Sequence, residues 1–309
     1  MSTRYLPEGR LLHSHDNRAA CASLGALQQA QDQETVLEGR VVLCTPDHDL
    51  TVSVGPFTGT IPREEAALGI REGTAREIAI LSRVGKPTAF TVTALDLRGE
   101  QPKLLLSRRR AQELALEALF HTPAGTVLPA TVTHMEPFGA FADVGCGVVS
   151  LLGIENISVS RISHPSCRFT VGQEIYAVLT GADRDQRRVF LSHKELLGTW
   201  EENAAAFSPG MTVPGHVRSI QPYGSFIELS PNFTGLADRT EGLAEGERVS
   251  VYIKSIQPDR MKVKLTVIHK LEDEAPREPL SYFITEGRLT RWEYSPTGCR
   301  RGRIERIFD

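Results

Sequence analysis

The stretch Ala130-Thr-Val-Thr-His-Met-Glu-Pro-Phe-Gly-Ala-Phe-Ala-Asp-Val144 has a second copy, Gly215-His-Val-Arg-Ser-Ile-Gln-Pro-Tyr-Gly-Ser-Phe-Ile-Glu-Leu229. Pro137 matches Pro222, Phe138 matches Tyr223, Gly139 matches Gly224 and Phe141 matches Phe226, each 85 residues further on. A fainter third copy opens at Gly39-Arg-Val-Val-Leu43 and ends at Lys103-Leu-Leu-Leu-Ser107. That ending resembles Arg188-Val-Phe-Leu-Ser192, again 85 residues on, and the last unit closes earlier, at Lys262-Val-Lys-Leu-Thr266. Self-similarity at a fixed spacing marks one folding unit used repeatedly.

Within a unit the residues alternate in character. Residues 127–136 and 140–144 show the period of two expected of half-buried strands. Glycine stands at the bends: Gly139, Gly145, Gly147 and Gly172, then Gly224, Gly235 and Gly246. A strand over 174–180 precedes the basic turn Asp183-Arg-Asp-Gln-Arg-Arg188 and a closing strand. Five short strands in about 70 residues suit a closed barrel, which leaves no exposed sheet edge. Between units, residues 109–120 are rich in helix formers. Residues 192–207 read similarly, with Ser192 and Glu195 at capping-box spacing. A helix is expected around 17–31, a linker over the acidic, proline-bearing 272–279, and a hairpin over 282–309 turning at Ser295-Pro-Thr-Gly298. The expected fold class is all-β: three tandem five-stranded barrels, short interdomain helices and a small C-terminal β-hairpin.

Composition narrows the function. The chain has 309 residues, 40% of them hydrophobic, enough for folded cores. No apolar run reaches the roughly 18 residues needed to span a bilayer, and the N-terminus lacks the apolar core of a signal peptide. A cytoplasmic protein with no membrane partner is expected. Cys21, Cys44, Cys146, Cys167 and Cys299 are scattered and form no Cys-x-x-Cys pair, so neither a disulfide framework nor structural zinc is expected. The net charge of −3 and pI near 6.3 weigh against a tight non-specific polyelectrolyte binder. They leave room for RNA binding through local patches and base stacking. Phosphate-loop, nucleophile-elbow and His-Glu-x-x-His motifs are all missing, and His13 and His15 lack convincing ligand spacing. No enzyme activity, cofactor, metal or small-molecule substrate is expected.

The aromatic-Gly-x-aromatic element is the most informative local feature. Residues three apart lie on opposite faces of a regular strand. Glycine beside the first aromatic permits a bend that turns both rings outward. Two exposed rings near basic residues make a platform for unstacked bases, each stacked base being worth about 1–3 kcal/mol. A single phenylalanine is more often core. Here the pair recurs beside Pro and Gly, as Phe138 with Phe141 and Tyr223 with Phe226.

These motifs, with Glu155-Asn-Ile-Ser158 and Asp183-x-x-x-Arg-Arg-Val-Phe-Leu-Ser-His-Lys194, resemble the RNA-binding domain of ribosomal protein S-one. That domain is an OB-fold, repeated in the ribosomal protein and single in several RNA-processing enzymes. Residues 151–165 and 192–203 extend the resemblance to the short S-one homologues of low-GC Gram-positive bacteria. The resemblance covers roughly residues 35 to 268 and is strongest over 122–207. It implies a degenerate OB-fold barrel (34–107) and two OB-fold RNA-binding barrels (122–193 and 208–268); outside it, the residues themselves suggest an N-terminal helical segment (1–33) and a basic C-terminal hairpin (280–309).

The family's RNA surface implies two aromatics, a His, an Asp and an Arg. Phe138 and Phe141 match the aromatics, Asn156 stands where the His falls, and Asp183 and Arg188 match the acid–base pair with one residue inserted. Tyr223 and Phe226 match in the third unit, where Asp238 replaces the His and Asp259 and Lys262 flank the turn. Arg184, Arg188 and Lys262 would hold the RNA backbone. The first unit has only Phe57 near the corresponding segment, and by resemblance such leading units attach to the ribosome. The implied function is binding of single-stranded RNA or mRNA in translation, with the small ribosomal subunit as a partner. Two alternatives are a ribosome-independent RNA-processing or regulatory accessory protein and a protein-interaction scaffold. Two basic clusters remain: Arg108–Arg110, and the tail arginines Arg288, Arg291, Arg300, Arg301, Arg303 and Arg306. Such runs are usually solvated faces; the alternative is that the tail, with Tyr282, Trp292 and Tyr294, extends the RNA track.

Overall fold

The computed structural model describes residues 5–96, 98, 102–272 and 279–309. Residues 1–4 of the N-terminus and 273–278 of the expected linker lie outside them. The N-terminal region holds two helices where the composition suggested one, α1 (His15–Ala20) and α2 (Leu24–Asp32). The break has a local cause: Ser14 and Ser23 each accept a backbone N–H, from Asn17 and Ala26, and so cap separate helices.

The first barrel comprises β1 (Leu37–Cys44), β2 (Leu50–Val54), β3 (Phe57–Ile61), β4 (Pro87–Asp96) and β5 (Lys103–Ser107), with α3 (Ile78–Leu81) between β3 and β4. Its strands close in the order β1-β2-β3-β5-β4. Ser107 caps α4 (Arg108–Phe120), whose Ala111, Ala115, Leu116 and Leu119 pack into the core of the second barrel. That barrel comprises β6 (Val127–Glu136), β7 (Gly139–Asp143), β8 (Val149–Gly153), α5 (Ile154–Ile157), β9 (Glu174–Asp183) and β10 (Arg188–Ser192). The third follows α6 (Trp200–Ala204) and comprises β11 (Thr212–Gln221), β12 (Gly224–Ser230), β13 (Phe233–Ala237), β14 (Arg248–Gln257) and β15 (Lys262–Lys270), closed in the same order as the first. The tail adds a two-stranded sheet, β16 (Arg291–Glu293) with β17 (Glu305–Ile307).

The second barrel differs at one seam. In the first and third, the short parallel pairing of the third and fifth strands completes the ring, through Gly59 with Leu104 and Leu236 with Lys264. Gly59 and Gly235 lie so close to the fifth strand that an added Cβ would stand 2.5 Å from Leu106 and Leu265. The second barrel has Ser150 at this place. Its backbone ladder runs β10-β9-β6-β7-β8 without the last pairing, and the Ser150 hydroxyl closes the gap by donating to the carbonyl of Val189.

The segment 192–207 is not one helix. Ser192 ends β10, a 3₁₀ turn covers Lys194–Leu197, and the capping box belongs to Thr199 and Glu202 at the start of α6. Glu195 is unavailable as a cap because it is fully buried against Arg306.

The barrels are joined by polar contacts shielded from water. Glu8, from the N-terminal segment, sits between Arg83 and Arg108, while its backbone N–H donates to Asp143 at 2.8 Å. Between the second and third barrels, buried Glu228 is shared by Arg168 and Arg218, and the Asn232 side chain accepts from Val159 N at 2.7 Å and donates to Lys194 O at 2.8 Å. The tail crosses the same junction. Tyr282 packs edge-to-face on Tyr176 and on His193, and Tyr294 donates its hydroxyl proton to the Asn232 carbonyl.

Candidate nucleic-acid interface

Strands β6 and β7 meet with Glu136 opposite Gly139, so Pro137 and Phe138 alone form the turn. Gln221 and Gly224 frame Pro222 and Tyr223 in the same way. Phe138 and Tyr223 are therefore turn-tip residues, 56% and 66% exposed. Phe141 and Phe226 are half-buried on the outer faces of β7 and β12, between inward Ala140 and Ala142 in one case and Ser225 and Ile227 in the other.

This corrects the expected role of the glycine. The first ring faces outward because it lies in the turn, not because a bent strand rotates it. Gly139 and Gly224 are needed for close approach instead: a Cβ at either would stand 2.6 Å from Leu152 O or 2.3 Å from Ala237 O. The two ring pairs have nearly the same geometry, edge-to-face at 6.1 Å for Phe138–Phe141 and 6.2 Å for Tyr223–Phe226. An edge-to-face pair leaves ring faces open to a third planar group.

A residue unnoticed in the sequence joins the first pair. His134 stacks on Phe141, with centroids 5.9 Å apart, and bonds to Glu136 at 2.7 Å. A β-bulge between Val132 and His134 exposes Thr133 and His134 in succession. Plain alternation hides that, although the bulge recurs between Val217 and Ser219.

The remaining candidates are placed as follows. Phe138 O accepts from Ile154 N at 2.9 Å, which brings α5 and Asn156 up to the turn. The Asn156 amide oxygen accepts from Arg306 at 2.9 Å and its nitrogen donates to Glu155 at 3.3 Å. Asp183 lies opposite Arg188 in the β9–β10 ladder and fixes the turn by accepting from Gln186 N at 2.9 Å. Arg188 is exposed, with a long 3.4 Å contact to Gln186. Arg184 reaches to α4, at 3.2 Å from Glu117 and 5.2 Å from the Phe120 ring centroid. Lys262 is exposed, Asp238 pairs with Lys254 at 3.1 Å, and Asp259 lies beside Arg300 of the tail.

In the first barrel a longer loop, residues 45–49, replaces the Pro-aromatic turn, and Thr51 holds the place of Phe141 in the bulged register. No aromatic platform forms there.

The basic clusters are largely engaged within the protein. Arg108, Arg109 and Arg110 pair with Glu8, Glu65 and Glu34. In the tail, Arg291 and Arg303 pair with Glu293 and Glu305, and Arg306 with Glu195. Trp292 and Tyr294 are buried, so the tail presents neither as a stacking surface. His193 is buried too. Its Nδ1 bonds to Ile157 O at 2.8 Å and Nε2 lies 3.1 Å from the Tyr282 hydroxyl, so Nδ1–H donates and Nε2 accepts. Burial holds its pKa down to about 4.

Residues 122–194, which are the second barrel with its flanks, match the model of the S1 (S-one) RNA binding domain. The second barrel belongs to the S1 domain family. The chain is 31% identical over 201 residues to small ribosomal subunit protein bS1 of Leuconostoc lactis, covering 60% of this chain and 46% of that protein. It is 28% identical to the bS1 homolog of Bacillus subtilis, covering 64% and 55%. The bS1 of Mycobacterium tuberculosis aligns over 90% of this chain at 26% identity, covering 60% of that protein. The chain thus spans about half the length of the first two relatives. No helix among the described residues is long and apolar enough to cross a membrane.

Proposed function

We propose that this chain binds single-stranded RNA, mRNA included, across the outer faces of its second and third barrels, and that it acts in translation beside the small ribosomal subunit without catalysing a reaction. The observation that carries this reading is the repeated ring pair, Phe138–Phe141 and Tyr223–Phe226, held open to solvent in one geometry on two barrels. Bases stack on these rings, and His134 widens the first platform. Arg188 and Lys262 meet phosphates, Asn156 offers a polar contact at the edge, and Asp183 shapes the turn that presents Arg188. Arg184, engaged by Glu117 and Phe120, is a peripheral contact. Stacking accepts every base, so sequence preference is weak. Few unengaged cations line the platforms, so the salt dependence is shallow.

Competition between single-stranded and duplex RNA of the same sequence tests the reading, because duplex bases are already stacked and closed to the rings. Preference for the single strand supports it, and equal binding to both contradicts it. Cosedimentation with small ribosomal subunits then separates a role in translation from a ribosome-independent one.

A further inference from the structure

One outward-facing row of side chains, half-buried to exposed, runs across each barrel at right angles to the strands. In the third barrel, Phe226 pairs with Leu236, and Leu236 with Lys264. In the first, Thr51 pairs with Thr60, and Thr60 with Leu105. In the second, Phe141 pairs with Leu151. The Ser150–Val189 bond sets β8 beside β10, and by the register of the other two barrels Leu151 and Phe190 are the next members of the row. The row thus reads Phe-Leu-Phe in the second barrel, Phe-Leu-Lys in the third and Thr-Thr-Leu in the first.

Phe190 is 48% exposed, and Leu151 beside it is exposed as well. Its partner in the β9–β10 ladder is Gly181, which has no side chain to cover the ring. A Cβ there would already stand 3.9 Å from the Phe190 ring. Arg188 lies two residues earlier on the same face of β10 and is exposed. An aromatic in the open, with a cation beside it and the ring pair at the other end of the row, has the composition of a base-stacking track. One paired strand spacing of about 4.8 Å and the wider β8–β10 seam separate Phe141 from Phe190.

We infer that Phe190 is a third stacking surface, so that the RNA track of the second barrel runs from Phe138 past Phe141 and Leu151 to Phe190 and Arg188. This rests on the RNA-binding reading above and extends it. The third barrel has Lys264 where the second has Phe190, so its track ends on a phosphate contact instead of a base. The two barrels therefore take up unequal lengths of strand, and the second engages one base more.

The test compares the full chain with Phe190→Ala and Phe190→Leu, the latter carrying the residue found at position 105, by fluorescence anisotropy on oligouridylates of graded length. Both variants are expected to bind about five- to 150-fold more weakly, with an unchanged slope of affinity against salt because no phosphate contact is lost. The shortest oligomer that binds fully should shorten by about one nucleotide. Phe190→Leu keeps apolar bulk over Gly181, so it decides the matter if Phe190→Ala fails to fold. Wild-type affinity in Phe190→Leu overturns the inference while leaving the function intact. No binding by the wild-type chain overturns the RNA reading and this inference together.

Discussion

Ser150 donates its hydroxyl proton to the carbonyl of Val189 and so bridges the one seam of the second barrel that the backbone ladder leaves unpaired. The other barrels use glycine here and close by parallel strand pairing. A side chain at this point keeps the strands apart, and its own hydrogen bond compensates. Ser150→Ala removes the bond and keeps the spacing. The expected cost is about 0.5–1.5 kcal/mol, read as a lower midpoint in urea at unchanged slope. An unchanged midpoint would mean that apolar packing alone holds the seam.

The junction between the second and third barrels depends on Glu228, buried against Arg168 and Arg218. Glu228→Gln keeps the shape but leaves two guanidinium groups without their shared counter-charge, one of them buried. Breaking a buried pair from one side costs about 3–5 kcal/mol. The variant is expected to lose stability on that scale in equilibrium unfolding, and a loss below about 1 kcal/mol would show that water reaches the pair.

His193 supplies a pH dependence of definite sign. Its pKa is held down to about 4, against an ordinary value of 6.5. The unfolded chain therefore binds a proton that the folded chain refuses between these values, so the contribution is present above pH 6.5 and is lost as pH falls toward 4. Protonation also ends the acceptance of the Tyr282 hydroxyl proton by Nε2, and loosens the tail from the second barrel. Tyr282→Phe removes the donor that favours the neutral ring. NMR titration of His193 should then give a higher pKa than in the wild type, and an equal or lower value would contradict the assigned tautomer.

Much of the fold was legible in the sequence. The 85-residue repeat, the period of two over 127–136 and the helix formers at 109–120 predict elements that the structure contains as β6 and α4. The ring pairs were legible for the same reason, since a repeated Pro-aromatic-Gly is a local signal. What escaped is set by tertiary contacts. Glu195 reads as a helix cap, yet it is drawn into the interior by Arg306, 111 residues away. Arg108 to Arg110 read as a basic patch, and their partners Glu8, Glu65 and Glu34 come from distant segments. Trp292 and Tyr294 read as potential stacking rings and instead fill the barrel–tail junction. His134 was hidden because a bulge shifts which residues face outward.

Arg188 and Phe138 should respond differently to salt. Arg188→Ala removes a phosphate contact, so the slope of log affinity against log salt should fall by roughly 0.7 for a single strand. Phe138→Ala should lower affinity at every salt concentration with the slope unchanged. Parallel lines for wild type and Arg188→Ala would assign the arginine to the turn alone.

The most direct test of the account is fluorescence anisotropy of single-stranded RNA with the wild-type chain and the Phe138→Ala/Phe141→Ala variant, whose fold is checked by circular dichroism and thermal unfolding. Phe138 is a turn-tip residue and Phe141 lies on an outer face, so the variant is expected to stay folded. It should bind at least about thirtyfold more weakly, since two stacks of about 1–3 kcal/mol each are lost. A folded variant that binds RNA as the wild type does would contradict the stacking platform.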